Sequence, residues 1–185
     1  LQELIDKIVF CIGDEGMDAI SCLVMKPTDT GFIEAAGMNG HQFAMLRFAN
    51  DDLRAMLPPD GILIQKKYLG ELKKWLGTDE INVNLDDKRL FLRTETKRES
   101  LSLPVSTYQY PDYNSFLTRL KGEGTSTLKV TRAEAQDALM RIAIFNSESN
   151  RCTYFEFTDA EAILSAVGQE VGSATESLDV EYKGD

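Results

Sequence analysis

Apolar and polar positions along this chain recur in two rhythms. In the middle of the sequence Gly61-Ile62-Leu63-Ile64-Gln65 predicts a short buried strand, and Tyr68, Leu69, Leu72, Trp75 and Leu76 follow at the spacing of one helix face. Gly77 ends that helix. Ile81 to Leu85 then alternates with period two, Asp86-Asp87-Lys88 turns the chain, and Leu90 to Glu95 and Arg98 to Val105 complete a three-stranded meander.

The same order recurs on either side. Downstream, Thr127 to Val130 predicts a strand, and Thr131-Arg132-Ala133-Glu134 matches a capping box that opens a helix with Ala135, Ala138, Leu139 and Ile142 as its apolar stripe. A second meander is expected through Cys152 to Thr158, Ala162 to Val167 and Thr175 to Tyr182, where Leu178, Val180 and Tyr182 alternate against Asp179 and Glu181. Upstream, Leu1, Leu4, Ile5 and Ile8 form a helical stripe, followed by strands near Ala19 to Met25, Gly31 to Ala36 and Gln42 to Phe48. This first unit lacks its leading strand and begins inside its helix, so the chain reads as a piece of something longer. A helix followed by a meander buries its apolar faces poorly alone, so neighbouring units are expected to pair, helices on one face of the sheets. The fold class is α+β: residues 1–118 form one domain of two units, 119–125 a linker, and 126–185 the first half of another domain.

Charge narrows the function. Thirty acidic against twenty basic residues give a net charge of −10, which excludes a surface that holds nucleic acid by bulk attraction; any such contact must be local. Cys11, Cys22 and Cys152 show no paired spacing, so neither a disulfide framework nor a zinc site is indicated and a reducing, cytoplasmic setting is expected. No apolar run reaches the length of a membrane span, and no membrane role is expected. One histidine, His41, leaves no multi-histidine metal site. It follows Asn39-Gly40, the strongest short hairpin signal, read as a type I′ turn with both residues at positive φ. Asp14, Glu15 and the Asp86-Asp87 pair are the acids a hydrolase could use, yet they are better explained as turn residues. Glycine-rich phosphate loops are absent. No catalytic residue, metal or cofactor is expected.

Along essentially its whole length the sequence resembles the bacterial sliding clamp, the beta subunit of DNA polymerase III. Asn39-Gly40-His41-Gln42-Phe43 resembles that family's D-G-H-R-L segment, Tyr110-Pro111-Asp112-Tyr113 its F-P-D-Y segment, and Arg141 to Asn146 its R-A-A-I-L-S run; Leu178 to Tyr182 is similar again. The resemblance implies a DNA-clamp, or processivity, architecture covering the middle domain and the first half of the last. It also implies a non-catalytic function: encircling duplex DNA without regard to sequence, as a head-to-tail homodimeric ring. The partners it implies are the polymerase III catalytic subunit, the clamp loader and other proteins carrying clamp-binding motifs. A clamp-fold scaffold that never encircles DNA is the alternative.

Roles follow position by position. Met38, Gly40, His41, Gln42 and Phe43, with Pro111 and Phe116, would form the peptide groove, where Gln42 replaces a usual arginine and Phe43 a usual leucine. The family completes that groove with a C-terminal segment that this chain lacks. Lys66, Lys67, Lys73 and Lys74 give the middle helix a local positive charge and would face DNA; read without the resemblance they are a solvated helix face. Gly13-Asp14-Glu15-Gly16 puts acid where the family has polar DNA-contacting residues. Ile144 and Phe145, beside Glu170 and Glu176, would form the ring interface; alternatively the two apolar residues extend the core stripe of their helix.

Overall fold

A computed structural model describes residues 1–14, 16, 19–78, 80–106, 108–119, 124–146, 152–158, 160–168 and 172–183, apart from the Phe116 side chain. Helix α1 (Gln2–Ile8) leads to strands β1 (Cys22–Pro27), β2 (Ile33–Met38) and β3 (Phe43–Phe48). Helix α2 (Asp51–Met56), strand β4 (Ile62–Gln65) and helix α3 (Lys66–Trp75) precede the meander β5 (Ile81–Leu85), β6 (Arg89–Thr94) and β7 (Ser100–Pro104). Then come α4 (Asn114–Arg119), β8 (Thr127–Lys129), α5 (Arg132–Ala143), β9 (Tyr154–Phe157), β10 (Glu161–Gly168), β11 (Gly172–Asp179) and β12 (Glu181–Lys183). They fall into two compact units, Leu1–Asp112 and Tyr113–Asp185.

The first unit contains two antiparallel sheets, β3-β2-β1-β4 and β5-β6-β7. In the first of them the leading strand of the second repeat, β4, pairs with the first meander strand of the repeat before it, β1, with Leu23 opposite Ile64. Helices α1 and α3 lie side by side: Gln2 Nε2 donates to the Lys73 carbonyl at 3.1 Å and to that of Leu76, and Lys73 meets Asp6 at 2.5 Å. Their stripes, Leu4, Ile5 and Ile8 with Leu69 and Leu72, close one core over Leu23, Ile64, Leu90 and Leu92. Leu1, placed in the stripe by its spacing, is 42% exposed, because it precedes the first helical turn.

Gly61 shows why β4 begins where it does. Its φ is +78°, and a Cβ there would lie 2.4 Å from the Met25 carbonyl, so the chain can enter the strand beside β1 only without a side chain. Helix α2 was not predicted; it is a short element whose start is held by Asn50 Oδ1, which accepts from the Leu53 amide at 2.8 Å.

In the second unit β11-β10-β9 form one sheet and β12-β8 another. The strand expected over Thr175 to Tyr182 is therefore divided, with Val180 between the parts. The division follows a rule shared with the first unit. There Ser106, beyond β7, pairs with Leu63 of β4, and here β12, beyond β11, pairs with β8. In both repeats the chain leaving the meander returns to its own leading strand. Ala138 and Ile142 of α5 pack on Ala162, Leu164 and Ala166 of β10, whereas Leu139, expected in the same stripe, is 39% exposed. The capping-box bond of Thr131 does not form, and α5 starts without a side-chain cap.

Candidate peptide groove and basic helix

Residues 39 to 42 join β2 to β3, whose last pair is Met38 with Phe43. The turn is not type I′. Gly40 alone has positive φ, +88°, while Asn39 stays out of the left-handed region and uses its side chain: Oδ1 accepts from the amides of His41 at 3.0 Å and Gln42 at 2.8 Å. An asparagine that closes the turn with its own oxygen relieves its backbone of that conformation. The result exposes His41 and Gln42 at the tip and leaves Met38 and Phe43 half-buried at its base.

Tyr110 brings the connector to this place. Burial pushes its phenol well above the ordinary range, Cys22 adds to that, and the nearby Met38 backbone opposes it. Pro111, the next residue, is exposed, one residue along from this contact with the end of β2. Met38, Gly40, His41, Gln42, Phe43 and Pro111 thus belong to one region of the first unit: a polar tip over a partly apolar base. Phe116 is in α4, in the other unit, and its side chain falls outside the described residues.

The four lysines of α3 flank its buried stripe. Lys66 Nζ donates to the Ile12 carbonyl at 2.8 Å and meets Asp14 Oδ1 at 2.6 Å; Lys73 meets Asp6, and Lys74 meets Glu71 at 3.1 Å. Lys67 instead lies over the Tyr68 ring, 5.0 Å from its centroid. The acids from α1 and the segment after it, invisible to a count along α3, reduce the helix's surplus and leave Lys67 as its cation without a carboxylate partner among the described residues. Asp86, weighed as a catalytic acid, accepts from the Lys88 and Arg89 amides at 2.8 and 2.7 Å and holds the β5–β6 turn. Glu15 lies outside the described residues.

At the end of α5, Ile144 is 70% exposed and Phe145 packs on the Ala138–Ile142 cluster, so the pair divides between surface and core. Glu176 is joined twice to Arg141, at 2.5 and 2.6 Å, and that bond holds its carboxyl below the usual range. Glu170 lies outside the described residues. Sequence reasoning missed a charged row across β1, β2 and β3. Glu34, 4% exposed, receives Arg47 Nε at 2.8 Å and lies 3.9 Å from Lys26. Alternation along β2 places Glu34 out of phase with Ile33 and Ala35, the signal that could have found it.

The C. crescentus beta sliding clamp superposes on all of this chain with a TM-score of 0.82 at 17% identity, the match covering 49% of that protein. The chain has the bacterial sliding-clamp fold. Its sequence is related as well: it is 22% identical over 187 residues to the beta sliding clamp of Pseudomonas aeruginosa and 21% identical over 189 residues to that of Chlamydia muridarum, in each case across 100% of this chain. It spans about half the length, 49%, of the curated clamps it matches. No family model matches it. The α+β reading with helices over antiparallel sheets is that of the clamp fold, and the beta sliding clamp anticipated from short motifs is the relative found along the whole chain.

Proposed function

We propose that this chain is part of a DNA sliding clamp, comprising the middle domain without its first strand and the first half of the next, and that it acts without catalysis, in the cytoplasm, by topological capture of duplex DNA. The observation that carries this reading is the pairing of α1 and α3 over two sheets, with the stripe of α3 buried and its lysines on the outer side. A ring of such units holds DNA by enclosure, so it needs few cations, in keeping with a net charge of −10 and with Lys67 as the least neutralised contact. Head-to-tail dimerisation would use Ile144 and the surroundings of Glu176. The tip Gly40-His41-Gln42, above Met38 and Phe43 and beside Pro111, would receive an extended peptide from the polymerase, the clamp loader or another partner, apolar contacts anchoring it and His41 and Gln42 orienting it.

A labelled glutamine-and-leucine clamp-binding peptide, titrated against the chain, should bind less well to the His41→Ala and Phe43→Ala forms, by about 1–2 kcal/mol each. Equal binding by all three removes the groove assignment. The neutralisation of Lys66, Lys73 and Lys74 favours a second reading, a clamp-fold scaffold that binds peptides and never encloses DNA. In the full-length parent, retention on nicked circular DNA that is lost on linearisation supports the ring; retention on neither supports the scaffold.

A further inference from the structure

The sheet β5-β6-β7 turns Leu90, Leu92 and Leu103 into the core of the first unit. Alternation therefore sends Arg89, Phe91 and Arg93 of β6 to the opposite face, each two residues, about 7 Å, from the next. Asn84 and Ser102 stand on either side of Phe91, and Asn82 and Ser100 on either side of Arg93. Within the strands every position on this face is non-acidic, and acids stand only at its ends, Asp86 opposite Arg89 and Glu80 opposite Glu95 beyond Arg93.

Three details mark it as more than a solvated surface. Phe91 is 39% exposed at its centre. Arg89 donates from Nε to Ser102 Oγ at 2.7 Å and from Nη2 to the Ser102 carbonyl at 3.1 Å, and Arg93 Nε donates to Ser100 Oγ at 3.3 Å. Hydroxyl and carbonyl oxygens thus hold both guanidinium groups on the sheet, and among the described residues neither has a carboxylate at ion-pair distance. Lys97, in the β6–β7 turn with φ at +58°, adds a cation to a shallow depression of about 560 Å³ whose lining includes Asn82, Asn84, Phe91 and Arg93.

We propose that this face is a platform for single-stranded nucleic acid. A base stacks on the Phe91 ring, Arg89, Arg93 and Lys97 take neighbouring phosphates, and the amide and hydroxyl rows bond base edges or sugars. Duplex DNA keeps its base faces hidden and has no use for a ring at the centre of the site. An acidic peptide would engage the cations but leave that ring without a partner. The site is separate from the turn at His41 and from the α3 lysines.

The test is fluorescence anisotropy at low salt with a labelled short oligothymidylate, a duplex of the same length and a polyglutamate peptide. The oligothymidylate should bind best, with a log–log salt slope of about −2 for three phosphates neutralised. Phe91→Ala should weaken it about tenfold and Phe91→Trp should retain it. The double change Arg89→Glu and Arg93→Glu should abolish it, with the thermal midpoint unmoved in each variant because these side chains lie on an exposed face. Lys183→Glu, a charge reversal on an exposed residue of the second unit, should leave it unchanged. No binding at low salt, equal binding by Phe91→Ala, or tighter binding of duplex or polyglutamate would each overturn the proposal.

Discussion

The helix-and-meander unit occurs twice within Leu1–Asp112 and again within Tyr113–Asp185, and its surfaces fare differently. In the first unit, the first meander strand β1 has Cys22, Leu23, Val24 and Met25 at 4% exposure or less, since β4 lies against its edge and helices cover its face. In the second, the corresponding strand β9 has one neighbour among the described residues, β10, and exposes Tyr154, Phe155 and Phe157. Their rings find one another instead: Phe155 stacks on Phe157 at 6.0 Å and Phe157 on Tyr182 at 5.6 Å. Helix α3 buries Leu69 and Leu72 and α5 buries Ala138 and Ile142, but α5 exposes Leu139 and Met140 where α3 has Lys73 and Lys74. One repeat covers a single side of its sheet and one side of its helix. The second side is covered only where another repeat lies on it, so burial here belongs to the pair of repeats.

The strongest test of that contrast is truncation of one leucine on each helix. Leu69→Ala should cost about 2–5 kcal/mol, because a fully buried leucine loses both transfer energy and packing. Leu139→Ala should stay within about 0.5 kcal/mol. Urea unfolding followed by fluorescence of Trp75, the sole tryptophan, reports the first change, and far-UV circular dichroism the second. Similar costs at both sites would break the comparison.

Thiol chemistry divides along the same line at smaller scale. Cys11 and Cys22 are buried, and burial pushes both thiols above their ordinary value, while Cys152 is exposed. Under native conditions Cys152 should react with iodoacetamide at least about a hundredfold faster than the other two, which open only with the unit around them. Peptide mapping of the alkylated protein decides this; rapid labelling of Cys22 would mean that the β1–β4 seam opens readily.

The smallest effect concerns ion pairs, buried at Glu34 and near the surface at Glu176. Arg141 holds the Glu176 carboxyl below the ordinary glutamate value, so the folded state binds that proton less readily than the unfolded chain. The contribution is complete above the ordinary value and is lost as pH falls through the lowered one. Carboxyl-carbon NMR should find Glu176 titrating below glutamates without a partner, and Arg141→Gln should return it to the ordinary range. An unchanged midpoint in that variant would assign the shift to something other than the pair.

Several elements could be read with little error. Ile81 to Leu85 was expected as a strand and forms as one, and the stripe Leu69, Leu72 and Leu76 is buried as its spacing requires. Errors gathered at ends and turns, where competing local bonds of similar energy decide. Asn39 closed its turn through the side chain, Thr131 left its box unmade, and Val180 interrupted a strand whose alternation continued past the break. Of the candidate site, the residue types at the turn were readable, but the link from Tyr110 to Met38 was not, because seventy-odd residues of chain separate them.

What the sequence determined by itself is the repeat: helical and strand periodicities are local properties, expressed within a few residues wherever they occur, and their recurrence implies the architecture. Tertiary structure decided which of the repeated surfaces are covered and what charge remains on them. Lys66 meets Asp14 from fifty-two positions away, Arg141 meets Glu176 from thirty-five, and β1 is buried where β9 is bare. Pairing and desolvation depend on neighbours brought together in space, and no pattern along the chain records them.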